Sequence, residues 1–227
     1  MKLSRILGLL VIALLAAPFA FADGGLVNMQ FGYVNGAQDG TYYVSPYYGT
    51  MNNQPVTLFC DDVRNEVTWG ETWTANVTNL GAAIANSSFG NTRGSLVYSN
   101  PALEYEAAAY LASEIATTSL TDQTDLVALQ YALWNVLDPG YISSNSGLAW
   151  TDYTTAMALA QNGQTNLNFS NFEIVTNGGP DFPLALSGPK QVQEFIIMTP
   201  EPGTLVLMLS GMLALALLAI ARARLAV

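Results

Sequence analysis

From Thr204 to Ala221 the chain carries no charged side chain, and Arg222 and Arg224 follow at once. An apolar run close to the ~20 residues that a helix needs to cross a bilayer has no place inside a small folded domain. It predicts a transmembrane helix over 204–221. Arginines beside a span are retained on the cytoplasmic side, so the residues before Pro200 are expected on the far side of the membrane. The other end fits export: Lys2 and Arg5 precede an apolar stretch from Ile6 to Ala17, and Ala20-Phe21-Ala22 offers the small residues of a signal-peptidase site. Cleavage after Ala22 is expected.

The expected organisation is a signal peptide over 1–22, one domain over 23–199, and a C-terminal segment over 200–227. With both ends excluded, Arg64, Arg93 and Lys190 are the only cations, in a chain with 17 acidic residues. A surface this acidic repels phosphate backbones, which argues against nucleic acid as a partner. The chain contains no histidine, so Ser-His-Asp and Cys-His catalysis and imidazole metal sites are excluded. Paired carboxylates at Asp61-Asp62 or at Glu104 and Glu106 remain for a glycosidase, but each reads more simply as a solvated acidic surface. Asp61, Asp62 and Glu66 lack the alternation and central glycine of a calcium loop. No metal and no cofactor is expected.

Val-, Thr-, Tyr- and Trp-rich runs broken by Gly, Asn and Pro predict strands at 27–34, 41–44, 56–60, 66–69 and 72–77, with a tight reversal over Trp69–Trp73. Helices are expected at 102–117, opened by Pro101, and then from a cap at Asp122 or Thr124 to the stop at Pro139-Gly140. In the latter Leu126, Leu129, Leu133 and Leu137 form one stripe. A shorter helix is expected at 152–161, and strands return at 167–175 and 191–198. The order predicts an α+β fold, an antiparallel β-sandwich or barrel with an inserted helical segment.

Pro200-Glu201-Pro202, the apolar run and the terminal arginines stand in the order of the PEP-CTERM sorting signal of Gram-negative bacteria, which this tail resembles, although its arginines are thinned to two. The resemblance implies recognition of Pro200, Glu201 and Pro202 by an exosortase, removal of the span, and release or anchoring at the cell surface or in extracellular polysaccharide. A plain C-terminal membrane anchor is the simpler alternative.

Cys60 is the only cysteine, and an exported chain gives it no intramolecular disulfide partner. It stands in Phe59-Cys60-Asp61 at a strand end, and Leu129-Gln130-Tyr131-Ala132-Leu133-Trp134 lies in the second helix. These two segments resemble the signatures of bacterial thioester domains. The resemblance implies an internal thioester between Cys60 and Gln130, with Phe59 and Trp134 as motif neighbours. Asp61 departs from the apolar residue usual after the cysteine. Such a bond needs strong positioning, because a carboxamide is a poor electrophile, and it needs aromatic neighbours such as Tyr131, Trp134 and Phe59 to exclude water.

The functional expectation is a surface protein processed by signal peptidase and exosortase. It attaches covalently, once per molecule and without turnover, to an amine on a partner surface protein or in the polysaccharide matrix. The alternative is an inert matrix or envelope protein with Cys60 buried. A glycan-binding module using the Tyr42-Tyr43 and Tyr47-Tyr48 pairs is a third reading, against which strand packing of those tyrosines is favoured.

Overall fold

Val27, Met29 and Phe31 alternate with Asn28, Gln30 and Gly32. In the computed structural model this alternation becomes β1 (Leu26–Val34), with the first three side chains buried and the others exposed. The structure describes residues 25–34, 36–178, 185, 191–199 and 211. β2 (Tyr47–Met51) and β3 (Gln54–Cys60) follow, joined by Asn52 and Asn53, both at positive φ, the conformation that a two-residue hairpin loop requires and that asparagine tolerates. β4 (Thr72–Asn79), β5 (Phe172–Asn177) and β6 (Phe195–Met198) complete a closed barrel in the order β1-β2-β3-β6-β5-β4, every pair antiparallel.

Closure resolves the choice between sandwich and barrel, and it leaves no unpaired strand edge. The barrel interior is aromatic: Phe31, Tyr47 and Trp73 surround Phe195 at ring-centroid distances of 6.4, 6.3 and 6.1 Å. Gly49 faces Phe31 in the β1–β2 ladder, where a Cβ would stand 2.4 Å from the Gln30 carbonyl oxygen. Only glycine permits that approach.

Among the described residues up to Thr199, the helices lie between β4 and β5. Asn79 ends the strand and caps α1 (Leu80–Asn86) by accepting from the Ala82 amide, a helix that the sequence reading missed. After the short α2 (Gly94–Val97) come α3 (Ala102–Thr117), α4 (Gln123–Leu137) and α5 (Leu148–Gln161), which pack against one another. Asp122 caps α4 through the Asp125 amide, and Leu126, Leu129, Leu133 and Leu137 are all buried. α5 begins four residues earlier than expected, at Leu148 after Gly147, whose positive φ turns the chain into the helix.

Two expected strands do not form. Over 41–44 the Asp39 carboxylate accepts from the Thr41 and Tyr42 amides and holds the backbone in a local turn. Over 66–69 no ladder forms among the described residues, because both sides of β1 are already taken by β2 and β4; the chain turns through Gly70, whose amide donates to the Phe31 carbonyl, and the Glu71 amide closes the turn on the Thr68 carbonyl. The strands expected at 167–175 and 191–198 shorten to β5 and β6, with a 3-10 turn at Phe169–Asn171 before β5.

Residues 22–199 cluster as one compact unit. Among the described residues no helix is long and apolar enough to cross a membrane. The expected signal peptide, the Pro200-Glu201-Pro202 motif and the span at 204–221 lie outside the described residues, Gly211 excepted.

Candidate functional site

β3 ends at Cys60 because its ladder to β6 stops there, at the pair Cys60–Phe195. α4 passes this strand end with Gln130 at its middle, turned inward beside the leucine stripe. Both residues are completely buried. The Gln130 Nε2 donates to the Cys60 carbonyl oxygen at 2.6 Å, while its Oε1 accepts from the Ser45 amide at 2.8 Å. Ser45 closes the triangle, since its Oγ accepts from the Cys60 amide at 2.9 Å. Sequence reasoning missed Ser45; it lies in the β1–β2 connection, and only the tertiary fold brings that connection over α4.

The carboxamide is therefore gripped at both ends and lies against the backbone of the cysteine. The Cys60 thiol donates to the Asp62 carbonyl at 3.2 Å and accepts from the Trp134 indole Nε1 at 3.4 Å. Trp134 thus touches the sulfur. Phe59, the other motif neighbour, is buried on the same strand, one residue out of phase with Cys60, and backbone alternation turns it to the other face.

An aromatic cover lies over Trp134: Tyr131, Tyr141 and Tyr42 stand 5.5, 5.5 and 5.8 Å from its ring. The Tyr131 hydroxyl donates to the Asp39 carboxylate, which ties the turn at 39–42 down onto α4. A surface cleft of about 270 Å³ includes Trp134 in its wall together with Tyr42, Tyr43, Trp69 and Glu66. Tyr42 and Tyr43 are exposed, whereas Tyr47 is packed inside the barrel.

The acidic pair after the cysteine corrects the sequence reading. Asp61 and Asp62 are not a solvated surface; both are buried. Asp62 pairs with the Arg93 guanidinium at 2.7 Å and accepts from the Asn65 side chain and the Glu194 amide. Glu194, buried on the approach to β6, accepts from the Arg93 amide at 2.8 Å, from the Tyr105 hydroxyl at 2.6 Å, and from the Thr176 hydroxyl. This network joins barrel to helices, and Arg93 and Glu194 carry no local sequence signal for it.

Among the described residues neither Asp61 carboxyl oxygen has a hydrogen-bond partner. Burial first, and then the Glu194 and Asp62 carboxylates, push Asp61 well above the usual carboxylate range, which favours its neutral acid. Burial, then Asp62 and more weakly Asp61, also raise the Cys60 thiol well above its ordinary value; the Trp134 N–H pulls in the opposite direction. Glu104 and Glu106, two positions apart in α3, are each half-buried and do not share a helix face; burial raises the carboxyl of each. Among the described residues no group of His, Cys, Asp and Glu side chains is arranged to hold a metal ion.

No protein-family model matches the chain, and neither a curated protein nor a solved structure matches it. The chemistry of the site therefore rests on its own geometry.

Proposed function

We propose that this is an exported, exosortase-sorted surface protein in which Cys60 and Gln130 form an internal thioester for one-time covalent attachment. The observation that carries the reading is the clamped carboxamide. The Ser45 N–H, donating to Oε1, polarises the carbonyl and faces the atom on which negative charge develops when sulfur adds to Cδ.

In the forming step the Cys60 Sγ bonds to the Gln130 Cδ, the Cδ–Nε2 bond breaks, and the thiol proton leaves with nitrogen as ammonia. Atoms balance without an oxidant or cofactor. Burial opposes the thiolate, so proton transfer must accompany attack instead of preceding it. In the opening step a primary amine entering past Trp134 adds to the same carbon, the C–S bond breaks, and sulfur takes up a proton. The amide that remains is permanent. The Trp134, Tyr131, Tyr141 and Tyr42 rings exclude the water that competes for the bond.

Intact mass tests the proposal. The folded protein is expected to be lighter than its processed sequence by one ammonia, the deficit absent in Cys60→Ala, and incubation with methylamine is expected to add one amine at Gln130. A full calculated mass would leave the second reading, an inert envelope or matrix component, which is favoured by one observation: a thiol held protonated behind an aromatic cover. Sorting at Pro200-Glu201-Pro202 belongs to the same proposal and rests on the tail alone.

A further inference from the structure

We propose that the cleft beside Trp134 binds an amino-sugar residue of a cationic polysaccharide. The cleft, of about 270 Å³, gathers Tyr42 and Tyr43 from the turn tied down onto α4 and Trp69 from the turn before β4. These three side chains are 44, 46 and 66% exposed. Single exposed aromatics are ordinary on a protein surface, but three drawn around one concavity are the pattern of a ligand site. The volume lies just below the ~300 Å³ at which drug-sized pockets begin, so the cleft takes one ring and not a long segment.

Charge selects the ligand further. Glu66 is exposed in the same lining, and the Asp39 carboxylate sits against the Tyr42 amide at 2.6 Å. The guanidinium in the lining, Arg64, is paired with Asp138, so its charge is met within the protein. The chain as a whole carries a formal net charge of −10, which draws a polycation towards it from solution. Aromatic faces add to this attraction, since an ammonium within ~6 Å of a ring is held by its quadrupole.

A protonated 2-amino sugar combines both requirements: a flat C–H-rich face for the rings and a positive charge for Glu66. An N-acetylated sugar has the face without the charge, and a lysine side chain has the charge without the face. Phosphate and uronate polymers meet repulsion. The cleft wall includes Trp134, whose indole lies 3.4 Å from the Cys60 sulfur, so the bound amine is brought to the threshold of the proposed bond. Binding itself does not depend on the Cys60–Gln130 bond; covalent capture of the bound amine does, and rests on the preceding reading.

Calorimetry separates the two. The full chain carrying Cys60→Ala, which cannot form the bond, is titrated in mild detergent and mildly acidic buffer with a glucosamine tetramer, its N-acetylated counterpart, and tetralysine. The glucosamine tetramer is expected to bind, and the other two at least ~tenfold more weakly. Trp69→Ala should abolish binding, and Glu66→Gln should weaken it about tenfold and remove the preference for the free amine. Tyr33→Ala, on another part of the barrel, should bind as before. No heat with the glucosamine tetramer, equal affinity for tetralysine, or unchanged binding in both Trp69→Ala and Glu66→Gln would overturn the proposal. Intact mass of the chain with Cys60 present, after incubation with the tetramer in mildly alkaline buffer, reports on capture: binding without an adduct on either the tetramer or methylamine sinks the thioester alone, and a methylamine adduct without tetramer binding sinks this site alone.

Discussion

At Gln130 one side chain serves two backbones, and its removal leaves two buried groups unpaired. In the thiol form, before any bond to Cys60, Gln130→Ala strands the Ser45 N–H and the Cys60 carbonyl, at ~1–3 kcal/mol each, so chemical denaturation should show a loss of several kcal/mol. Cys60→Ser keeps a hydroxyl donor for the Asp62 carbonyl and should cost the same form only ~1 kcal/mol while removing any adduct with methylamine. Asp61 makes a pH prediction. Its folded-state pKa is raised, so its favourable contribution is complete below the unfolded carboxyl value and is lost as pH rises through the folded one. Asp61→Asn cannot ionise; its urea midpoint should therefore gain on the parent at pH 8 relative to pH 4, and an equal difference at both pH values would count against a buried neutral acid. Consecutive aspartates read as surface because a sequence does not disclose that Arg93, far along the chain, waits in the core for Asp62.

The elements around the site act as mounts. β3 is legible from its strand composition and α4 from its leucine stripe, and the boundaries agree within a few residues, in α4 because the periodicity and a capping aspartate leave little choice. Asp122→Ala removes the α4 cap and should cost ~1 kcal/mol, read from the thermal midpoint. The β1–β2 connection was misread as a strand, since Thr41-Tyr42-Tyr43-Val44 has strand composition and only the Asp39 carboxylate shows why it turns. That turn is a strap over the site. In Tyr131→Phe the bond to Asp39 is lost, so amide exchange over 36–46 should accelerate, and a Cys60–Gln130 thioester should hydrolyse faster in an intact-mass time course. Unchanged exchange would mean that ring packing on Trp134 alone retains the strap.

For the whole molecule the proposed bond is also a cross-link between barrel and helices. It closes a loop spanning the 70 positions that separate Cys60 from Gln130. By the loop-entropy relation used for disulfides such a closure is worth ~4 kcal/mol. Opening it with methylamine should then lower Tm by ~10 °C in a domain of this size, measured by calorimetry before and after treatment. An unaltered Tm together with a confirmed mass shift would show that packing, not the bond, holds the two parts in register. The proposed export makes a separate prediction: protein recovered from its producing cell should begin at Asp23, as N-terminal sequencing would reveal, and an intact Met1 would count against it.

Composition and periodicity alone establish an acidic chain without histidine, an apolar C-terminal run, and strands flanking a helical insertion, because each is a local property that short windows contain. The pairing of Cys60 with Gln130 was suggested by motif, but the placement of Ser45 against the carboxamide and the burial of Asp61, Asp62, Arg93 and Glu194 were decided by the tertiary fold. So was the choice of barrel over sandwich, since β6 must cross between β3 and β5 to close it. Such contacts join residues many positions apart, and chain closure and burial, not local preference, determine their energies.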